Sequence, residues 1–175
     1  LAARLASARR AARRAPIRPT AIEAELGTRY TIDTLRALIR RYPRRRFLWI
    51  MGADNLAQFH RWRDWRKIAR LVPIAVVGRP GYTGRALMAP AMGWLRRFVR
   101  PAAEARHWTR WRLPSLVLLR LPPDPTSATA LRAADPDWHE AVMETFCPEA
   151  GRDPVTRRPL DGRRPFARNR TRSAR

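Results

Sequence analysis

The chain has 175 residues, of which 45% are hydrophobic, and this is enough for one folded domain with a real core. Its formal net charge at pH 7 is +23, from 37 basic and 14 acidic residues. A single cysteine, Cys147, excludes an internal disulfide framework and favours a reducing compartment such as the cytoplasm. No apolar run approaches the roughly 18 residues that a membrane-spanning helix needs, so none is predicted.

The positive charge is concentrated at the two ends of the chain. Residues 1–20 carry a net charge of +6 and residues 151–175 a net charge of +7, which leaves +10 for residues 21–150. High positive charge is typical of nucleic-acid binding. However, 36 of the 37 basic residues are arginine, a bias that GC-rich coding also produces. We therefore rank a basic nucleic-acid-binding protein below an enzyme.

The first predicted elements are a helix and a short strand. Residues 1–15 have the arginine-rich, acid-free composition of an organellar transit peptide. Leu1, Leu5 and several alanines share one face, however, and this favours an amphipathic helix. Residues 17–26 then predict a strand in which Pro19 suits an edge or a strand start.

The middle of the chain predicts alternating helices and strands. A helix begins near Thr31, as a possible N-cap, and ends at Pro43, with Asp33 in its first turn. The continuous apolar run 47–51 predicts a parallel strand that is covered on both faces. A helix over residues 64–72 and a strand over 73–77 follow. The apolar stripe of the first of these helices consists of Ile32, Leu35, Leu38 and Ile39.

The last third of the chain predicts fewer regular elements. Residues 85–99 predict a helix, although Pro90 and Gly93 weaken it, and residues 115–121 predict a strand. Further helices are predicted to start at residue 126 and over residues 137–146. Residues 151–175 lack an apolar period and predict a disordered tail after a domain over residues 1–150. The alternation of strands and helices indicates an α/β fold with a doubly wound parallel sheet.

In such a fold, ligands bind where the strands end. Gly52 and Asp54 follow the run 47–51, so a ligand could approach the glycine backbone and Asp54 could accept hydrogen bonds from a ribose or an adenine. Asp54 could equally be a helix N-cap. Trp62 could stack on a flat ring or lie in the core. His60 has no second ligand at a suitable spacing, so no metal site is predicted.

Three other stretches have features of anion sites. The helix start at Tyr30 and Thr31 has free amides, although ordinary capping explains them as well. Arg79 follows the strand 73–77, and arginine suits phosphate recognition. The third stretch combines hydroxyls, amides and a guanidinium at a helix start, an arrangement suited to a triphosphate; its residues are Ser127, Thr129 and Arg132.

Together these stretches resemble a known family. The segments YTIDTL, FLWIMGADNLAQFHRWRDWRKIA, PIAVVGRPGY and TSATALR occur in the order seen in bacterial nicotinate-nucleotide adenylyltransferases. The resemblance covers roughly residues 1–140. It implies a Rossmann-like sheet of the nucleotidyltransferase superfamily and adenylyl transfer from ATP to nicotinate mononucleotide, with Mg²⁺ bound through the ATP phosphates. It also implies a role in NAD biosynthesis in the cytoplasm.

The resemblance also implies roles for individual residues. The backbone of Tyr30 and Thr31 and the ring of Trp62 would hold the nicotinate group. Gly52 and Asp54 would contact the sugar and adenine region. The ATP phosphates would be bound by Ser127, Thr129 and Arg132, with Arg79 nearby.

The chain departs from the family pattern in two places. The motif before Arg132 usually contains one more hydroxyl, which is lost here at Ala128. The family also opens with a strand and a turn that carries H-x-G-H, whereas the three histidines here are isolated. We therefore expect a domain that lacks its first strand or strands and its phosphate-binding turn, and a 175-residue chain that is unstable or inactive. A pantetheine-phosphate adenylyltransferase and a catalytically dead nucleotide-binding remnant are the alternatives. The former is disfavoured because Trp62 and the turn at Tyr30 and Thr31 suit a nicotinate ring.

Overall fold

The computed structural model describes residues 2–78 and 83–120, together with Ala133. The chain divides into two compact units, of which the larger is Thr28–Pro125 and the smaller contains Leu1–Gly27. The helices predicted from residue 126 and over 137–146, and the tail 151–175, lie outside the described residues, apart from Ala133.

The described part of the smaller unit is helical. Helix α1 (Ala2–Ala11) confirms the helix predicted at the start of the chain, and α2 (Ile22–Leu26) follows it. The strand predicted over 17–26 is therefore wrong. The segment contains strong helix formers, and Gly27 ends the helix in the left-handed conformation (φ 61°) with its N–H bonded to the Ala24 carbonyl.

The larger unit is built on four parallel strands in the order β1-β2-β4-β3. This arrangement confirms the predicted α/β class and parallel sheet. Its regular elements are α3 (Thr31–Arg41), β1 (Trp49–Gly52), α4 (Ala53–Gln58), α5 (Trp65–Leu71), β2 (Ile74–Val77), α6 (Thr83–Leu87), α7 (Pro90–Leu95), β3 (Val99–Arg100) and β4 (Leu116–Leu119). Short 3₁₀ segments cover Phe59–Arg61, Arg96–Phe98 and Ala102–Arg110.

The strand register defines two edges of the sheet. Gly52 is paired with Val77, and Val77 with Leu119, so β1, β2 and β4 end level with one another. We call this side the carboxyl edge, and the opposite side, where the same strands begin, the amino edge. Parallel α/β sheets place their ligands at the carboxyl edge.

The sheet is buried at its centre and open at β1. Ile74, Ala75 and Val76 of β2 are each at most 2% exposed, as expected for a strand covered on both faces. In β1 only Met51 is buried, whereas Ile50 is 61% exposed. The predicted cover on both faces of β1 is therefore wrong, because β1 pairs only with β2 among the described strands and is an outer strand.

Helix α3 follows its sequence closely. Ile32 and Leu35 are buried, Asp33 lies in the first turn, and the helix ends at Arg41, before Pro43. Its N-cap is Tyr30, so Thr31 is the first helical residue and not the cap. No side chain caps this helix.

The single helix predicted over 85–99 is divided in two. Helix α6 ends at Leu87, and α7 begins at Pro90. Proline suits the first turn of a helix, because the amide hydrogen that it lacks has no intrahelical partner there. Pro90 therefore starts a helix instead of interrupting one.

Candidate active site

Gly52 and Asp54 lie at the carboxyl edge, where β1 passes directly into α4. Gly52 is both the last residue of β1 and the N-cap of α4, with an extended backbone (φ −75°, ψ 160°) that any residue can adopt. Asp54 is in the first turn of α4, where the helix dipole favours its negative charge. Because β1 passes into α4 without a loop, the half-buried Asp54 side chain lies at the strand end.

The described part of the carboxyl edge contains a small cavity of about 40 Å³. Its walls are mostly apolar and come from all three strand ends; they include Ala53, Val76, Gly78, Leu118 and Arg120. The four residues that were predicted to bind the ATP phosphates lie outside the described residues; they are Arg79, Ser127, Thr129 and Arg132.

Tyr30 and the segment after Trp62 are joined by Arg63. The Arg63 guanidinium lies 4.8 Å from the centre of the Tyr30 ring, within cation–π range. Its Nη1 is 3.8 Å from Oδ2 of Asp33, in the first turn of α3. Arg29 lies 5.7 Å from the same ring. Two stretches that are separate in the sequence thus meet at the start of α3.

The backbone of Tyr30 is used by the helix that it caps. Its carbonyl accepts hydrogen bonds from the amides of Asp33 (3.0 Å) and Thr34 (3.1 Å), and also from the Thr34 hydroxyl (3.3 Å). The Thr34 and Thr28 hydroxyls are 2.6 Å apart. This network fixes the turn before α3, whereas the Tyr30 side chain is 40% exposed.

Trp62 is held by two aromatic neighbours. Its ring makes edge-to-face contacts with Trp49 (6.0 Å between centres, 77°) and Phe59 (5.4 Å, 69°). Phe59 is fully buried, so these contacts fix the tryptophan to the core. Trp62 itself remains partly exposed, and it therefore combines the core position and the accessible ring that the sequence left as alternatives.

Asp64 fixes the end of the segment that contains Trp62. It is the N-cap of α5, and its carboxylate Oδ1 lies 3.0 Å from Lys67 Nζ. The hydrogen bond from Lys67 lowers the pKa of Asp64, and the positive charges of Lys67, Arg36 and Arg63 lower it further against an opposing effect of burial. The ionised carboxylate of Asp64 offsets part of the positive charge of Lys67, Arg36 and Arg63.

The sequence analysis identified Tyr30 and Trp62 as site residues but missed Arg63, which lies between them. Its only signal was its position directly after Trp62, in a chain with 36 arginines.

Within residues 2–78 and 83–120, no group of three histidine, cysteine or acidic side chains is placed to hold a metal ion. In the same part of the chain, no helix has the length and apolar character to cross a membrane.

Comparison with known proteins assigns the family. The model of the cytidylyltransferase-like family matches residues 2–134. A protein of Cereibacter sphaeroides named probable nicotinate-nucleotide adenylyltransferase is 48% identical over 133 residues, which are 76% of this chain and 70% of that protein. The chain belongs to the nicotinate-nucleotide adenylyltransferase family.

A second member of this adenylyltransferase family is more similar in sequence. The protein of that name from Erythrobacter litoralis is 65% identical over 136 residues, which are 78% of this chain. The chain spans only 62% of the length of that relative. A solved structure titled Plasmodium falciparum nicotinic acid mononucleotide adenylyltransferase complexed with APC matches 61% of this chain and 44% of its own, at 13% identity and a TM-score of 0.39. That similarity is too low to transfer residues.

Proposed function

We propose that the protein transfers the adenylyl group of ATP to nicotinate mononucleotide in the cytoplasm, forming deamido-NAD and pyrophosphate for NAD biosynthesis. A phosphate oxygen of nicotinate mononucleotide forms a bond to the α-phosphorus of ATP, and the bond from that phosphorus to the bridging oxygen breaks. The electron pair leaves with pyrophosphate. No covalent intermediate with the protein is needed, so its residues position the two reactants and stabilise charge.

The observation that carries this proposal is the junction at Arg63. A nicotinate site shared by the Tyr30 turn and Trp62 requires these two stretches to be neighbours, and Arg63 contacts both Tyr30 and Asp33. The Trp49 and Phe59 contacts hold the Trp62 ring, so that ordering it on binding costs little entropy. In the proposal the Trp62 ring stacks on the pyridine ring, and the Tyr30–Thr31 backbone holds its carboxylate.

The remaining proposed contacts lie on the ATP side. Gly52 and Asp54 contact the sugar and adenine region, because they follow β1 at the carboxyl edge. The phosphates are bound by Arg79, Ser127, Thr129 and Arg132.

The proposal includes Mg²⁺ that arrives with the ATP phosphates. The described stretches that directly follow β1, β2 and β4 contain one carboxylate, Asp54. Mg²⁺ commonly keeps several waters and takes one or two carboxylates plus substrate phosphates, so this donor set fits a phosphate-bound ion. When bound, the ion neutralises charge on the phosphates.

The test is a coupled assay for deamido-NAD formation from nicotinate mononucleotide, ATP and Mg²⁺. It is run on the 175-residue chain and on a chain that adds the sequence encoded directly upstream. We expect Trp62→Leu to raise the KM for nicotinate mononucleotide by about tenfold or more, because one stacked ring contributes roughly 1–3 kcal/mol. The KM for ATP should change little.

Trp65→Leu is the matched control. Trp65 is also partly buried and makes edge-to-face contacts, with Phe59 and Trp94, so its loss disturbs packing to a similar degree. An equal KM change in both variants would mean that Trp62 acts only through packing. Turnover of phosphopantetheine in place of nicotinate mononucleotide would move the chain to the sister enzyme. Nucleotide binding without turnover in either chain would favour a dead remnant.

A further inference from the structure

A second cavity lies at the amino edge of the sheet. Its volume is about 550 Å³, within the range of roughly 300–1,000 Å³ that is typical of ligand sites. The residues that line it include Phe47, Pro73 and Leu113, which precede β1, β2 and β4 respectively. The cavity is therefore on the side of the sheet opposite Gly52 and Asp54.

The charge of this cavity is one-sided. Arg44, Arg45 and Arg46 line it, and no acidic residue is among its described lining residues. All three arginines are exposed, and their side chains make no hydrogen bond or ion pair within the described part of the chain. Each guanidinium can therefore offer several N–H donors to an anion, in a geometry that matches phosphate.

The rest of the lining is aromatic and apolar. Trp108 and Trp111 contribute to it from the 3₁₀ segment Ala102–Arg110 and the residue that follows, and Phe47 contributes from the start of the sheet. Both tryptophans are partly exposed. Aromatic side chains beside a basic surface are the combination on which nucleotide bases stack while their phosphates are neutralised.

We propose that this amino-edge cavity is a second nucleotide site, which takes a mononucleotide with its phosphate on Arg44–Arg46 and its base against Trp108 or Trp111. A cavity of about 550 Å³ suits one nucleotide better than a strand of nucleic acid, which would need a continuous groove. This site is independent of the proposed catalytic site, because the two lie at opposite edges of the sheet.

The test uses AMP and the ¹⁵N-labelled 175-residue chain. We expect saturable binding, with amide shifts at residues 44–47 and 108–113. Arg44→Gln combined with Arg46→Gln should weaken AMP binding by at least about tenfold, because two charge-assisted contacts to the phosphate are lost. Trp108→Leu combined with Trp111→Leu should weaken AMP binding but leave binding of inorganic phosphate unchanged.

The matched control is Arg14→Gln combined with Arg40→Gln. It removes the same charge from two exposed arginines outside the cavity, so it should leave AMP affinity within about twofold. Equal losses in the control and in the Arg44/Arg46 variant, amide shifts confined to residues 52–64, or no saturable AMP binding would each overturn the proposal. Tight binding of a dT oligonucleotide at residues 44–47 and 108–113, with none of AMP, would overturn the mononucleotide assignment.

Discussion

Asp64 is the one non-glycine residue with a left-handed backbone among the described residues, at φ 54° and ψ 31°. Aspartate tolerates this region better than most residues, because its short polar side chain can bond locally. Here that side chain bonds Lys67, one turn into α5. Since Arg63 precedes Asp64 and contacts Asp33, the turn at residue 64 determines where the Trp62 segment meets α3.

Lys67→Met tests the electrostatics of this turn. Because the Lys67 hydrogen bond lowers the pKa of Asp64, its loss should raise that pKa towards the ordinary value of an aspartate. A lowered pKa stabilises the fold above the unfolded pKa, and this contribution disappears as the pH falls through the folded pKa. Lys67→Met should therefore be less stable than the unaltered chain at neutral pH. Below the folded pKa of Asp64, the two chains should differ little in this contribution. An NMR titration of the Asp64 carboxyl carbon measures the shift.

Arg66→Met is the control for this titration. Arg66 is adjacent to Lys67 but lies over the Trp65 ring, 4.4 Å from its centre, and does not contribute to the Asp64 pKa. An Asp64 pKa that stays the same in Lys67→Met, or that rises equally in Arg66→Met, would show that general positive charge, and not the hydrogen bond, lowers it.

Individual residues also show how far the sequence predicts the site. Gly52 and Asp54 can be identified because they follow the apolar run 47–51. Trp62 lies in the same family-like segment. Arg63 was missed because composition gave no reason to choose it over 35 other arginines. Its contacts with Tyr30 and Asp33 arise only when α3 and α5 pack together, and such pairings are not encoded in local spacing.

At the scale of elements, β1 differs most from its expected environment. The run Phe47–Met51 predicted a strand covered on both faces, and β2 next to it has that burial. In β1, however, Ile50 is 61% exposed. An apolar run encodes the strand, but the cover on each face depends on which helices pack against it, and local sequence does not contain that information.

Ile50→Thr and Ile74→Thr form a matched pair that tests this difference. Ile74 is fully buried, so its variant loses packing and buries a hydroxyl. We expect the free energy of unfolding to fall by at least about 2 kcal/mol. Ile50→Thr keeps a β-branched side chain at an exposed site and should change that free energy by roughly 0.5 kcal/mol at most. Chemical denaturation of both variants measures the difference.

The outcome for Ile50 has a clear reading. A loss as large as that of Ile74→Thr would mean that Ile50 is buried in solution, by a helix or a partner that packs on the face of β1 from which its side chain projects. A small loss would mean that this face of β1 is exposed in the folded chain.

Elements were predicted best where hydrophobic period and end signals agreed. Helix α3 had both an apolar stripe and Pro43, and its bounds follow them. Residues 17–26 were predicted as a strand, whereas Glu23, Glu25 and the following Gly27 are also typical of a helix and its end. The left-handed glycine decided the outcome, because it closes α2 through a hydrogen bond that a strand lacks.

At the scale of the whole molecule, the charge is large but unevenly distributed. Of the +23, +7 lies in residues 151–175 and +6 in residues 1–20. Charge of this kind attracts nucleic acid without sequence preference, because it replaces counterions along the phosphate backbone. The amino-edge cavity, in contrast, is a single site of about 550 Å³ that is lined by three arginines. The two sources of anion binding should therefore respond differently to salt and to truncation.

Removal of residues 151–175 separates these sources. The truncated chain lacks nine arginines and two aspartates of the full chain, so its affinity for a single-stranded oligonucleotide should fall. The slope of log affinity against log salt should become less steep, by roughly 0.7 for each phosphate that the tail no longer neutralises. AMP binding should remain within about twofold of the full chain, because the cavity residues are retained. Fluorescence anisotropy over a series of salt concentrations measures both ligands. If the truncated chain kept the full oligonucleotide affinity and slope, the arginines that neutralise the phosphates would lie in residues 1–150, and those of the tail would have no part in binding.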